Sequence, residues 1–145
     1  MRFPPDEDDP GCTKGLRLCS EQEIIRLVDD FYARVRADDL LGPMFERHVT
    51  DWNWHHAHLV AFWSAMLRGT RRFHGAPVSR HLEMPGLTEA LFVRWMELFR
   101  KTTAACGNPE LQAEADDAAL RMANHFWQRY QRQWNPAGEA PPLSC

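Results

Sequence analysis

The sequence predicts an all-α, single-domain fold, and three observations predict it. Ten prolines and eight glycines punctuate the chain and leave four long uninterrupted stretches, 16–41, 44–68, 87–106 and 110–135. Proline breaks regular structure by ring clash and a missing donor, glycine by backbone entropy, so the stretches between them are the candidate elements, and they have helix rather than strand length. Apolar residues within them recur at three- and four-residue steps, the period of an amphipathic helix. No alternating apolar–polar run and no Asn-Gly hairpin signal is present. A length of 145 residues falls in the usual range of one domain, ~100–200 residues.

Each element has its own start signal and face. Ser20-Glu21-Gln22-Glu23 reads as a capping box, and Ile24, Leu27, Val28, Phe31, Tyr32 and Val35 then form one stripe. A short helical piece is expected near 37–48. Thr50-Asp51 precedes the second long helix, whose inner face reads Trp52, His55, Leu59, Phe62, Trp63 and Met66. Another short piece is expected near 77–83, inside a connector over 69–86 that is long for a helix–helix link. Thr88 caps a third helix with Leu91, Phe92, Trp95, Leu98 and Phe99 inward. Asn108-Pro109 opens the fourth, since proline at the first helical position loses no hydrogen bond. Its stripe is Leu111, Ala115, Ala118, Met122, Phe126 and Tyr130. Residues 1–17 and 136–145, rich in proline and charge, read as mobile tails around a domain over 18–135.

Composition narrows the function classes. Seventeen Lys+Arg against twenty Asp+Glu leave a net charge of -3, without the basic stripe that nucleic-acid binding needs. No apolar run approaches the ~18–20 residues of a membrane span, and the N-terminus lacks an apolar signal core. A cytoplasmic protein is the expectation. The four cysteines, 12, 19, 106 and 145, form no Cys-x-x-Cys pair, so zinc-ribbon and thioredoxin-like motifs are absent. Nucleophile elbows, phosphate-cradling glycine loops and dinucleotide fingerprints are also missing.

Histidines and aromatics carry the remaining signal. His55, His56 and His58 cluster on the second long helix. At about 100° per residue, and with Leu59 as the centre of the buried face, His55 lies about 40° to one side and His56 about 60° to the other. His58 lies about 100° away. His55 and His58 suit chelation of zinc or nickel by spacing, but no further ligand pattern accompanies them. The aromatic side chains on the inner faces exceed what a small helical core needs. They suit either plain core packing or a pocket for a flat, apolar cofactor such as haem, whose iron takes one imidazole. His81, just before Pro85-Gly86, is a candidate for that imidazole.

Six segments in register resemble the group III truncated haemoglobins. They are Phe31-Tyr32-Ala33-Arg34-Val35-Arg36, Leu41-Gly42-Pro43-Met44-Phe45, Phe62-Trp63, Phe73-His74-Gly75-Ala76-Pro77, His81-Leu82 and Phe92 through Phe99. The resemblance spans roughly residues 20–130 and implies a truncated 2-on-2 α-helical sandwich globin fold. It implies heme b (iron protoporphyrin IX), with His81 as the proximal iron ligand. On the distal side it implies Tyr32, Trp95 and His55, with His56 as the alternative to His55. It implies Phe31, Phe45, Leu59, Phe62, Trp63 and Phe92 as cofactor walls, and Arg80 near a propionate. Expected ligands are dioxygen, nitric oxide, carbon monoxide or peroxide. The enzymatic option is nitric oxide dioxygenase- or peroxidase-like turnover with a reductase. The competing reading is a non-haem, all-helical interaction domain with an aromatic core.

Overall fold

The computed structural model describes residues 18–70 and 84–144. Five helices occur among them: α1 (Glu21–Ala37), α2 (Leu41–His48), α3 (Trp52–Arg68), α4 (Glu89–Ala104) and α5 (Pro109–Trp134). Among the described residues there is no strand, and no helix is long and apolar enough to cross a membrane. The expected short piece near 37–48 is α2; the one near 77–83 falls outside the described residues.

The caps work as the sequence indicates. The Ser20 hydroxyl accepts from the Glu23 N–H at 3.1 Å, and the Glu23 carboxylate accepts from the Ser20 N–H at 3.0 Å. Asp51, Thr88 and Asn108 accept from the backbone N–H groups of Trp54, Leu91 and Leu111. Each cap satisfies a donor that the helix itself leaves orphaned, worth about 1 kcal/mol. Asn108 does more than cap α5. Its amide also donates to the Leu18 carbonyl and to Glu23, at 3.0 Å each, tying the start of α5 to the start of α1.

Packing follows the stripes. The four long helices form two layers, α1 with α3 and α4 with α5, joined by contacts of α1 with α4 and of α3 with α5. Every residue of the α1 stripe is buried, and Phe31, Trp63, Met96, Phe99 and Leu111 meet in one central core. The α3 stripe needs one correction. Met66 is 46% exposed, and Leu67 is buried in its place. The core half of α3 runs through Trp63 and Leu67, one residue round from the cavity-facing half.

Two junctions position the site. Asp38, with a side chain 5% exposed, accepts from the N–H groups of Leu40 and Leu41 at the start of α2. It also accepts from Arg94 Nε at 2.7 Å and Nη2 at 2.6 Å. One carboxylate therefore binds the α1–α2 corner to α4, next to Trp95. Arg94's hydrogen bonding holds that carboxyl below the usual carboxylate range. At the other end, Tyr130 Oη donates to the Met84 carbonyl at 2.7 Å and accepts from the Leu87 N–H at 3.1 Å. Between them Gly86 has φ 81°, a conformation that side chains disfavour, which lets the Met84–Leu87 turn close tightly.

Proline and charge in residues 136–144 suggested a mobile tail. They are instead tied down. Leu143 is buried, its N–H donates to Asn124 at 2.7 Å, and Gln128 and Gln131 donate to the Ala140 and Pro141 carbonyls.

Candidate functional site

A cavity of about 680 Å³ opens between the helices and the Met84–Leu87 turn. That size lies within the ~300–1,000 Å³ of small-molecule and cofactor sites. Every helix contributes: Tyr32 from α1, Phe45 from α2, His55, Leu59, Phe62 and Trp63 from α3, Phe92 and Trp95 from α4, Met122 and Phe126 from α5. The walls are mostly aliphatic and aromatic, and the polar groups among them include Tyr32, His48, Asp51, His55, His58 and Trp95.

Tyr32 and Trp95 make one corner of the cavity. Tyr32 is buried, and burial pushes its phenol well above the usual range. A hydrogen bond from Trp95 pulls more weakly the other way. An indole N–H can only donate, so the Tyr32 oxygen is its acceptor and Tyr32's own proton remains to be given elsewhere. The Tyr32 ring is held edge-on by Phe31 at 4.9 Å, Phe45 at 5.8 Å and His55 at 5.5 Å. Trp95 is held by Phe31 at 5.1 Å and lies parallel to Phe99 at 5.2 Å. Those separations suit edge-to-face and offset pairs, which fix ring orientation.

The histidines separate cleanly. His55 lines the cavity and meets Trp52 edge-on at 5.7 Å. His56 turns the other way and pairs with Asp29 on α1. Between them lies a smaller hollow of about 350 Å³, whose walls include Tyr32, His55, His56, Asp29 and Arg36. His58 reaches the cavity mouth, stacked on Trp54 at 4.7 Å. Among the described residues no group of three His, Cys, Asp or Glu side chains is arranged to hold a metal ion.

Eight of the residues expected at a cofactor site therefore line one cavity: Tyr32, Phe45, His55, Leu59, Phe62, Trp63, Phe92 and Trp95. Phe31 does not. It sits one layer behind, in the core, where its ring backs both Tyr32 and Trp95. Arg80 and His81 lie outside the described residues. Several wall residues carried no site signal in the sequence, among them Met44, Leu87, Met122 and Phe126. Met122 and Phe126 stood in the α5 stripe, but periodicity marks an inward residue without saying whether it meets a neighbour or a void.

Comparison with known proteins agrees with this fold. The family model for the bacterial-like globins matches residues 17–129. The group 3 truncated hemoglobin ctb of Campylobacter jejuni is 31% identical over 111 residues, covering 74% of this chain and 87% of that one. A crystal structure of a group III truncated hemoglobin from Campylobacter jejuni superposes with a TM-score of 0.73 at 29% identity, covering 83% of this chain and 96% of that one.

Proposed function

The chain belongs to the bacterial-like globins, and within them to the group III truncated haemoglobins, and from that premise we propose that its cavity holds haem and handles dioxygen or a related diatomic ligand. Haem, when bound, would supply an iron able to bind diatomic ligands, and the protein would hold that iron through a histidine imidazole. The residues present suit such a group. The cavity has the right scale, its walls are largely aromatic and aliphatic, and Tyr32, His55 and Trp95 stand among them as polar groups. The chain has no Cys-x-x-Cys-His attachment motif, and the haem of this reading is a non-covalent b-type haem.

In this reading His81, three positions before the cavity residue Met84, would hold the iron, and Arg80 beside it would meet a propionate. Phe45, Leu59, Phe62, Trp63 and Phe92 hold the macrocycle. The observation that carries the proposal is the Tyr32–Trp95 pair. Trp95 donates to the Tyr32 oxygen, which directs the Tyr32 proton into the cavity. Burial keeps that proton on the oxygen at any physiological pH. A hydrogen bond to a partly negative ligand is worth ~1.5–3 kcal/mol, more than a neutral one. His55 stands beside Tyr32 as a further polar contact.

Such a pocket holds its ligand tightly. It suits chemistry on dioxygen, nitric oxide or peroxide better than bulk oxygen transport, with a reductase renewing the electrons. The first test is a visible spectrum of the protein with added hemin, before and after dithionite and carbon monoxide. A sharp Soret band at one haem per chain, shifting with each addition and lost in His81→Ala, is the expected result. Broad, unshifted hemin absorption would reduce the aromatic stripes to core and favour the helical interaction domain.

A further inference from the structure

Two columns of aromatic rings leave the cavity. One runs inward from Trp95 through Phe99 at 5.2 Å to Trp63 at 5.1 Å. It does not reach the surface: Trp63 is 2% exposed and leads back to the cavity wall through Phe62 at 5.4 Å. The other runs outward. Phe92, in the cavity wall, meets Trp127 at 5.4 Å; Trp127 stacks on Tyr130 at 6.1 Å; Tyr130 stacks on Trp134 at 5.7 Å. Trp134 is 50% exposed. Positions 127, 130 and 134 are three and four apart on α5, which lines their rings along one helix face.

Indole and phenol rings release single electrons readily because their π systems spread the unpaired electron. We propose that the outward column is an electron path, by which a phenolic donor at Trp134 supplies electrons one at a time to peroxide reduction in the cavity. The proposal rests on the haem reading and adds to it a donor class and a place where the donor is oxidised. Trp134 and Trp127 are the two stations. Tyr130 bridges them as a fixed ring, because its hydroxyl is already engaged with Met84 and Leu87. Phe92, too hard to oxidise, is the contact between Trp127 and the cavity.

The balance closes with peroxide as oxidant and the phenol as reductant. One hydrogen peroxide takes up two electrons and two protons, its O–O bond breaks, and two waters form. Two phenols each lose one electron and one proton. The two phenoxyl radicals then couple through a new C–C bond to give a biphenol. The exposed end matters for donors too large to enter the cavity. The column brings the oxidising power to them.

The test compares free tyramine with tyramine coupled to dextran, using haem-loaded protein whose Soret band first establishes one haem per chain. Dityramine fluorescence after peroxide addition reads donor oxidation, and peptide mass spectrometry without donor reads where oxygen adds to the chain. The expected result is oxidation of both donors, with oxygen added at Trp134 when no donor is present. In Trp134→Phe, dextran-coupled tyramine should react about tenfold more slowly, while free tyramine keeps its rate. Trp127→Phe, checked for unchanged haem stoichiometry, should show the same split. Wild-type rates on dextran-coupled tyramine in Trp134→Phe would overturn the path. So would oxygen added at Trp54, the exposed tryptophan of the cavity mouth, with none at Trp134. Failure to form the one-to-one haem complex would instead remove the haem reading, and the path with it.

Discussion

Tyr32→Phe isolates one hydrogen atom in the proposed pocket. The ring stays, so the edge contacts with Phe31, Phe45 and His55 stay. What goes is the O–H that the proposal aims at the ligand and the oxygen that receives the Trp95 N–H. Losing a hydrogen bond to a partly negative ligand costs ~1.5–3 kcal/mol. The released indole N–H can turn toward the ligand and recover part of that. A net loss of about 1–2 kcal/mol remains, equivalent to dissociation roughly five- to thirtyfold faster. Trp95→Phe should act more weakly, about fivefold, because in the intact site its N–H serves the Tyr32 oxygen rather than the ligand.

The assay is stopped-flow dissociation of dioxygen from the ferrous, haem-loaded protein, with carbon monoxide as the internal control. Bound carbon monoxide carries little charge at its outer atom and gains little from a donor. A hydrogen-bond effect therefore speeds dioxygen release and leaves carbon monoxide release nearly unchanged. A change in packing or access would move both ligands together. Parallel changes in the two rates, or no change in either, would refute the assignment of Tyr32 as the donor.

Three further outcomes follow from the frame around the site. A Cβ at Gly42 would lie 2.8 Å from the Arg36 carbonyl oxygen, which is backbone and cannot step aside; Gly42→Ala should cost about 1–3 kcal/mol, and an unchanged urea midpoint would show that the α1–α2 corner has slack. Asn108→Ala removes the α5 cap and its ties to Leu18 and Glu23, so a loss of about 1–2 kcal/mol in urea unfolding is expected, and none would mean that water replaces the amide. Acid should unfold the protein partly through Asp38 and Glu23, whose carboxyls are held low, the first chiefly by Arg94 and the second chiefly by Asn108. The unfolded chain binds their protons first, so this stability is present above the ordinary carboxylate range and is lost as pH falls through the folded values. Unfolding free energies measured between pH 3 and 7 should fall less steeply in Asp38→Asn than in the parent, and equal slopes would remove Asp38 from the acid limb.

The fold was legible in the sequence wherever local chemistry decides the structure. A cap is a short-range device, so Ser20, Asp51, Thr88 and Asn108 could be read directly and the helix starts followed. The stripes of α1, α4 and α5 are periodic and were legible for the same reason, apart from Met96, which is fully buried yet lies outside the stripe read for α4. Reading failed where long-range packing decides. Met66 satisfies the spacing of the α3 face, yet α3 serves two environments. Its first half faces the cavity through His55 and Leu59, its end faces the core through Leu67, and Trp63 between them serves both. The buried face turns by one residue between them, and a single stripe drawn through both halves goes wrong at its end. The docking of residues 136–144 depends on Asn124, Gln128 and Gln131 lying on the right side of α5. Polar side chains on an exposed face give no such signal.

The site poses a subtler problem, because core and cavity share a wall. Phe31 and Tyr32 are neighbours in one stripe, equally buried by sequence criteria. Phe31 fills the core behind the wall, and Tyr32 forms the wall itself. Phe31 touches Tyr32, Trp95 and Phe99, each near 5 Å, so it sets the angle of both polar residues without reaching the cavity. Hydrophobic spacing reports only that a residue points inward. It cannot tell a side chain that packs against another from one that lines a cavity. Motif order supplied that distinction for Tyr32, Phe45 and Trp95, and geometry supplied it for His55 against His56. The Asp29 carboxylate across the α1–α3 contact turns His56 away, and that contact joins residues far apart in the chain. A spacing rule on one helix places both histidines near the face; only the partner helix decides between them.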